Sequence, residues 1–281
     1  MRKTFLFCTL SLLCLDVLGQ SLVARLDDVW KYNVPLICGH RGGFYDSLPE
    51  NSLSAIRRTY SNSLAPVMVE FDLRKSIDGT LFLMHDETVN RTTNGQGKIS
   101  ELTDAYLKSL VLRNAIGELT SDSIPTFNAL LTYASGKDLF LMLDIKADVW
   151  KEAVALLKDY KAVDRSIVLT FDATDTKRVY GISPDVLISC LIRNESDWEE
   201  IERLSIPNKK LVAYVNDKMS ENVRQRLKSL GVPTMMDVSE HTRNGGKPLG
   251  GESYRSLLAK MKSGILITDF PVDVSIETTA H

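Results

Sequence analysis

A histidine and an arginine stand side by side where a short apolar run ends, at His40 and Arg41. A second histidine, His85, follows another apolar run and precedes an aspartate. Imidazole changes its charge near neutral pH, and cleavage of a phosphodiester needs one group to accept a proton and another to protonate the leaving oxygen. The guanidinium of Arg41 offers two parallel hydrogen bonds to a phosphate. These residue types predict phosphate-ester chemistry, whereas a structural hydrogen bond is the alternative for either histidine alone.

Carboxylates follow two other strand-like runs. Glu70 and Asp72 are two residues apart, so in a strand both side chains point to the same side. Asp144 ends a later run, and Lys146 shares its face. Converging carboxylates repel one another unless a cation lies between them, and Ca²⁺ and Mg²⁺ prefer oxygen ligands. We therefore expect Glu70, Asp72 and Asp144 to hold one divalent cation, Ca²⁺ or Mg²⁺, although solvated charges or a salt bridge to Lys146 would also fit the pattern.

The elements that must position these residues are short apolar, β-branched segments separated mostly by amphipathic ones. Nine such candidate strands lie at 35–39, 67–73, 81–85, 138–146, 166–171, 186–192, 210–215, 232–238 and 265–270. The second and third are separated by too few residues for a parallel crossover, which needs about ten to twelve. Asp78 and Gly79 form a favoured hairpin turn there, which would return His85 to the neighbourhood of Glu70 and Asp72.

Eight parallel strands then remain, with helices between them, and this pattern predicts a (β/α)8 barrel; a doubly wound open sheet is the alternative. Functional residues of such a barrel lie at the carboxyl ends of the strands. The polar residues occupy that position in this sequence: His40, Arg41, Glu70, Asp72, His85, Asp86, Asp144, Lys146, Asp237 and Asp269.

The N-terminus has a charged start and then an apolar stretch too short to span a bilayer. This pattern predicts a signal peptide over residues 1–19, cleaved after Gly19 or Gln20, with a buried N-terminal helix as the alternative. Residues 20–281 would form a single barrel domain, in which 86–125 is a small insertion. We expect a secreted or periplasmic protein without stable insertion into a membrane.

The composition limits the partners. A net charge of −2 gives no basic surface for nucleic acid, so the expected partner is a small anionic molecule held by local charges. Cys38 and Cys190 lie within apolar strand candidates, which predicts two buried thiols and no disulfide framework.

Several motifs occur together and in order: "GHRGG" with "LPENSLSAI", then "VEFDLRKSIDGTLFLMHDETVNRTTNGQGKISELT", "IPTFNALL", "LDIK" and "LITDFP". In this arrangement the sequence resembles the glycerophosphodiester phosphodiesterase family over nearly all of residues 20–281. The resemblance implies a (β/α)8 barrel, a divalent metal, and hydrolysis of glycerophosphodiesters to glycerol phosphate and an alcohol. It also implies attack by the glycerol hydroxyl next to the ester, which forms a cyclic phosphate that water then opens.

The resemblance assigns roles to single positions. His40 and His85 match the acid and base, and Arg41 matches the phosphate contact. Lys146 is a further candidate phosphate ligand. Glu50 matches the glutamate of the family's Pro-Glu-Asn motif, and we expect it to support the residues that touch the substrate.

Glu70 and Asp72 match two metal ligands of the family. Two positions depart from the family pattern. Asp144 stands where the family usually has a glutamate, and the segment "TMMDV" at 234–238 has methionines where the family usually shows Trp-Thr-Val-Asn. The first change shortens a metal ligand by one methylene, and the second alters the surroundings of the substrate's alcohol part.

Two other functions fit parts of the pattern. A barrel phospholipase that acts on a lipid head group would share the fold, but no basic or strongly apolar surface stretch favours it. A protein that binds phosphodiesters without turnover would not need both histidines beside the carboxylates, and a turnover assay would separate it from an enzyme.

Overall fold

The computed structural model describes residues 20–32, 34–64, 66–216, 218–261 and 264–279. The predicted signal peptide lies outside the described residues. In the described part no helix has the length and apolar character that crossing a bilayer requires.

Eight strands pair in parallel around a closed ring, in the order β1-β2-β6-β7-β8-β9-β10-β11 and back to β1. The closure confirms the predicted (β/α)8 barrel and excludes the open sheet. The described strands are β1 Leu36–Gly39, β2 Val67–Lys75, β3 Leu81–Leu83, β4 Val111–Arg113, β5 Leu119–Ser123, β6 Leu139–Ile145, β7 Ser166–Thr170, β8 Leu187–Leu191, β9 Leu211–Val215, β10 Thr234–Asp237 and β11 Ile265–Thr268.

The hairpin between β2 and β3 is confirmed as well. The two strands pair antiparallel, with Leu73 opposite Leu83, and Gly79 in the turn has a φ of +93° that favours glycine. The backbone N–H of Met84 donates to the carbonyl of Asp72 at 3.0 Å. His85, the next residue, is thereby returned to the carboxyl end of the barrel.

Helices follow most of the barrel strands, and side-chain caps begin several of them. Ser52 accepts a hydrogen bond from the N–H of Ala55, and Thr126 accepts one from Ala129, which satisfies donors that a helix start leaves free. The described helices are α1 Leu22–Tyr32, α2 Leu53–Asn62, α3 Asp104–Ser109, α4 Phe127–Ala134, α5 Trp150–Asp159, α6 Ala173–Ile182, α7 Glu195–Arg203, α8 Glu221–Ser229, α9 Glu240–Arg243, α10 Gly251–Met261 and α11 Pro271–Thr279.

Alternate residues of the strands divide the core into two layers. One layer lies between the strands and the outer helices, where Phe71 packs 5.5 Å from Phe127 between ring centroids. The other fills the barrel and includes Met68 and Met142, while Leu22 and Leu26 of α1 join it. Side chains alternate along a strand, so Glu70 and Asp72 point to the same side of β2 as Met68. Their carboxylates therefore lie above this apolar filling.

The residues between β3 and α4 form more ordered structure than the irregular insertion that the sequence suggested. β4 and β5 make an antiparallel ribbon, and α3 packs beside it. A small apolar cluster joins this segment to β3, formed by Phe82, Met84, Val89, Ile99, Leu107, Leu110, Leu112 and Ile124. The ribbon is therefore fixed on the barrel at the end where the polar residues lie.

Candidate active site

Three carboxylates converge at the carboxyl ends of β2 and β6. Glu70 and Asp72 lie on β2, and Asp144 is the register partner of Asp72 on β6. One oxygen from each carboxylate lies within 4.8 Å of the other two, and all three residues are buried. The sheet register thus produces the acidic triad that the sequence pattern suggested.

The electrostatics of the triad fit a divalent cation. Burial and the charge of Asp72 raise the pKa of Glu70 to about 8, and the same two causes raise the pKa of Asp144. Oδ1 of Asp144 is buried and has no hydrogen-bond partner among the described residues. Hard oxygen donors, an unpartnered buried carboxylate oxygen and mutual repulsion are what a Ca²⁺ or Mg²⁺ site requires.

Lys146 lies against the triad. Its Nζ is 2.6 Å from Oδ2 of Asp144 and 3.3 Å from Oδ1 of Asp72. This is the salt bridge that the sequence left open as an alternative. The lysine offsets part of the negative charge, and its assignment as a phosphate ligand stays a prediction.

Two residues with left-handed backbones complete the surroundings of β2. Arg41 has φ +49°, and its N–H donates to Oε2 of Glu70 at 2.7 Å. Asn51 has φ +54°, and its amide donates to Oδ2 of Asp72 at 2.8 Å while accepting the Asp72 N–H at 3.1 Å. Strained backbone of this kind concentrates at functional sites. Sequence reasoning missed Asn51, although the Pro-Glu-Asn motif contains it.

The two glycines after Arg41 are required by close packing. A Cβ on Gly42 would lie 2.8 Å from Cγ1 of Ile56, and one on Gly43 would lie 2.6 Å from Oγ1 of Thr59. Both glycines also have positive φ. The turn after β1 therefore needs "HRGG" to hold Arg41 against β2.

His40 is held by a buried carboxylate at the end of β11. Its Nδ1 lies 2.7 Å from Oδ1 of Asp269, whose Oδ2 accepts the backbone N–H of His241 at 2.8 Å. Burial opposes the charged imidazolium, but the hydrogen bond to Asp269 and the charges of Glu70 and Asp237 outweigh it and raise the pKa of His40 to about 9.

Asp269 is itself positioned by Glu240, a fully buried residue that sequence reasoning missed. Oε2 of Glu240 accepts the N–H of Asp269 at 2.8 Å. Its Oε1 accepts the hydroxyls of Tyr254 and Thr268, both at 2.6 Å. These three donors satisfy the buried carboxylate and connect α9 and α10 to the strand end that holds His40.

His85 is held by surface ion pairs instead. Its Nδ1 lies 2.8 Å from Oδ1 of Asp86, and Arg91 donates to both oxygens of Asp86 at 2.7 and 2.9 Å. Arg91 also binds both oxygens of Glu50 at 2.8 Å, and Glu50 accepts from Nη1 of Arg41 at 3.0 Å. Glu50 thus links Arg41 to Arg91, an arginine that the sequence analysis did not single out. The supporting role expected for Glu50 stays a prediction.

Two openings lie at this end of the barrel. A small cavity of about 70 Å³ is lined by His40, Glu70 and Asp144 together with Tyr214 and Asp237. A larger cleft of about 310 Å³ begins at Arg41 and Glu50 and extends along the insertion. His241, which had no visible partner in the sequence, lines this cleft and packs 4.0 Å from the ring of Phe44.

Fold and site together define a (β/α)8 barrel that carries a buried acidic triad and two carboxylate-bound histidines at the carboxyl ends of its strands. The sequence profile described as "Glycerophosphoryl diester phosphodiesterase family" matches residues 40–245. The match covers well over half of the chain, and the protein belongs to this family.

Relatives agree with this placement. Glycerophosphodiester phosphodiesterase 1 of Bos taurus is 37% identical over 142 residues, which are 47% of this chain and 41% of that protein. A glycerophosphodiester phosphodiesterase of Caldanaerobacter subterraneus is 29% identical over 163 residues, 56% of this chain and 66% of that one. The matched segments therefore span about two fifths to two thirds of these relatives.

A solved structure resembles nearly the whole chain. The crystal structure of a glycerophosphoryl diester phosphodiesterase from Parabacteroides distasonis superposes with a TM-score of 0.77 and 29% identity. The similarity covers 91% of this chain and 92% of that one.

Proposed function

We propose that the protein is a secreted, divalent-metal-dependent phosphodiesterase that hydrolyses glycerophosphodiesters to glycerol phosphate and an alcohol. The observation that carries the proposal is the acidic triad, whose ligand oxygens lie within 4.8 Å of one another. It lies beside a histidine–arginine pair in a barrel of this family. A protein that binds diesters without turnover would keep the pocket but would release no product.

Glu70, Asp72 and Asp144 would hold the cation. When bound, a Ca²⁺ or Mg²⁺ ion supplies positive charge that polarises the phosphoryl oxygens. Arg41, which lines the cleft, and Lys146 would bind the phosphate and offset the charge that develops on it. Binding of the phosphate would then compete with the ion pairs that Arg41 makes with Glu50 and Lys146 makes with Asp144.

His40 and His85 would transfer the protons. One imidazole accepts the proton of the attacking hydroxyl, and the other donates a proton to the oxygen of the departing alcohol. Asp269 and Asp86 each contact Nδ1 of one ring, which leaves Nε2 of both rings for this exchange.

The attacking group would be the glycerol hydroxyl next to the ester. Its oxygen forms a bond to phosphorus, the bond to the alcohol breaks, and water later opens the cyclic phosphate. Holding the hydroxyl beside phosphorus makes the attack intramolecular, an advantage on the order of 7–11 kcal/mol in favourable geometry. A diester that lacks this hydroxyl should be inert, and its rapid hydrolysis would mean that water attacks directly.

The direct test is a panel of glycerophosphodiesters incubated with the purified protein and Ca²⁺ or Mg²⁺, with detection of glycerol phosphate and free alcohol. We expect stoichiometric release of both products. Tight binding without product would contradict the enzyme and support a binding protein instead.

Export is proposed from the charged start and apolar stretch of residues 1–19. Intact-mass measurement on protein recovered outside the cytoplasm should give a chain that begins at Gln20 or Ser21. A retained Met1 would contradict processing.

A further inference from the structure

The larger cleft has an uneven distribution of charge. It is lined by three arginines, Arg41, Arg91 and Arg113, against one carboxylate, that of Glu50. Glu50 binds two of these arginines, and Arg91 binds Asp86 in addition. Two of the three cations are therefore already paired with carboxylates.

Arg113 has no carboxylate partner within ion-pair distance in the described part of the chain. Its Nε donates to the carbonyl of Thr93 at 3.0 Å, and its Nη1 donates to the carbonyl of Gly117 at 3.0 Å. The nearby carboxylate of Glu118 accepts from the amide of Asn114 at 3.2 Å instead. Carbonyl oxygens orient a guanidinium without cancelling its charge.

This arrangement fixes Arg113 while leaving part of it available. The two carbonyl bonds use Nε and Nη1, and Nη2 forms no hydrogen bond to another described residue. A donor that is already oriented loses little conformational entropy when a ligand binds it. The residue lies on β4, which the apolar cluster of the insertion joins to the barrel.

The cleft also has the position needed for the alcohol part of a substrate. It shares Arg41 with the proposed phosphate site and leads away from the triad toward the ribbon turn that contains Gly117. Its volume of about 310 Å³ exceeds the 70 Å³ of the cavity over the triad. The ring of Phe44 forms its other wall with His241.

Resting on the function proposed above, we infer that the cleft receives the alcohol part of the diester and that Arg113 selects alcohols that carry a negative charge. The shared chemistry is an anionic substituent, either a carboxylate or a second phosphate. A quaternary ammonium group would meet the aromatic wall but also the uncompensated guanidinium, which disfavours it.

The test compares four diesters that share the glycerol phosphate part. Their alcohols are choline, 1,3-propanediol, 3-hydroxypropionate and glycerol phosphate, which represent a cation, a neutral group, a carboxylate and a phosphate. We expect kcat/KM to be higher for an anionic alcohol than for the neutral or cationic one. The carboxylate and phosphate arms then distinguish which anion the cleft prefers.

Two substitutions of Arg113 separate the effect of its charge from that of its hydrogen bonds to the neighbouring carbonyls. Arg113→Gln should lower the ratio of kcat/KM for the anionic to the neutral diester by roughly tenfold, the size of one charge-assisted hydrogen bond. Arg113→Lys keeps the charge but not the fixed fork, so it should retain more of that ratio than Arg113→Gln. Arg203→Gln, on the exposed face of α7, is the matched control and should leave the ratio unchanged.

Selectivity for the cationic diester, or a ratio unaffected by Arg113→Gln, would overturn the inference while leaving the phosphodiesterase intact. Hydrolysis of none of the four diesters would instead contradict the proposed function. In that case calorimetric titration of the same compounds still decides the selectivity, because the inference requires tighter binding of the anionic ones and a loss of that preference in Arg113→Gln.

Discussion

His40 and His85 lie at the same end of the barrel, and each places Nδ1 against a carboxylate, but the two carboxylates are supported differently. The side chain of Asp269 is 4% exposed and accepts a hydrogen bond from the backbone N–H of His241, while the backbone N–H of Asp269 donates to the buried carboxylate of Glu240. The side chain of Asp86 is 28% exposed and depends on Arg91, which is itself 48% exposed.

The difference matters because solvent screens one arrangement more than the other. Ion pairs at the surface weaken with salt, whereas hydrogen bonds to a buried carboxylate weaken much less. The buried support fixes His40 in one place. The exposed support places His85 and Arg91 in ion pairs that solvent and salt can reach, and Arg91 also lines the cleft.

Removal of the proposed cation should have the largest effect, because the cation would offset the charge that develops on the phosphate during both proton transfers. We expect a chelator to abolish turnover and added Ca²⁺ or Mg²⁺ to restore it. Asp144→Ala should lower metal content measured by elemental analysis, whereas Asp144→Glu should be tolerated. Full activity in chelator would remove the metal from the proposal, and unchanged metal in Asp144→Ala would remove that ligand.

Loss of either imidazole should rank second. His40→Ala and His85→Ala should each reduce kcat by roughly two to four orders of magnitude, the usual contribution of general acid–base catalysis. Metal content should stay at the level of the unaltered protein, since neither ring belongs to the triad. A fall of less than about threefold in kcat would leave that histidine without a proton-transfer role.

Changing Asp269, which contacts His40, and Asp86, which contacts His85, should show that the buried and the exposed carboxylate contribute differently to turnover. Asp269→Asn should cost about tenfold to a hundredfold in kcat, a part of the acid–base contribution, because the His40 ring loses the charge of the buried carboxylate that orients it. Asp86→Asn should cost less than about tenfold, and high salt should reduce the activity of the unaltered protein toward that of this variant. An equal loss and an equal salt response in both variants would contradict the distinction.

The smallest effect on turnover should come from Glu240→Gln, because Glu240 is connected to His40 through Asp269 and does not contact the ring itself. The amide can replace one of the two oxygens as an acceptor but not both, so a buried donor loses its partner at a cost of about 1–3 kcal/mol in unfolding free energy. Denaturant unfolding measures this cost. Glu87→Gln is the control, because that side chain is 62% exposed and should change stability little.

The sequence was sufficient for those parts of the site that strand geometry alone determines. Period-two alternation placed Glu70 and Asp72 on one side of β2, and the short link with Asp78 and Gly79 required the hairpin that returns His85. Both depend on spacing within one element or between two neighbouring elements.

The supporting residues could not be found this way. Arg91 meets Glu50 across 41 positions, and Glu240 meets Asp269 across 29. Such contacts depend on how loops fold over the barrel mouth, for which a single sequence carries no periodic signal. A buried glutamate in particular looks like an ordinary surface charge until its three donors are known.

If His40 and His85 divide the two proton transfers between them, a substrate whose leaving group needs no proton should bypass only one of them. The substrate is glycerol phosphate esterified to p-nitrophenol, a leaving group that departs without protonation. We predict that this ester restores most of the lost turnover in one of the two variants, His40→Ala or His85→Ala, while the other stays impaired. Restoration in both or in neither would contradict a division into one acid and one base.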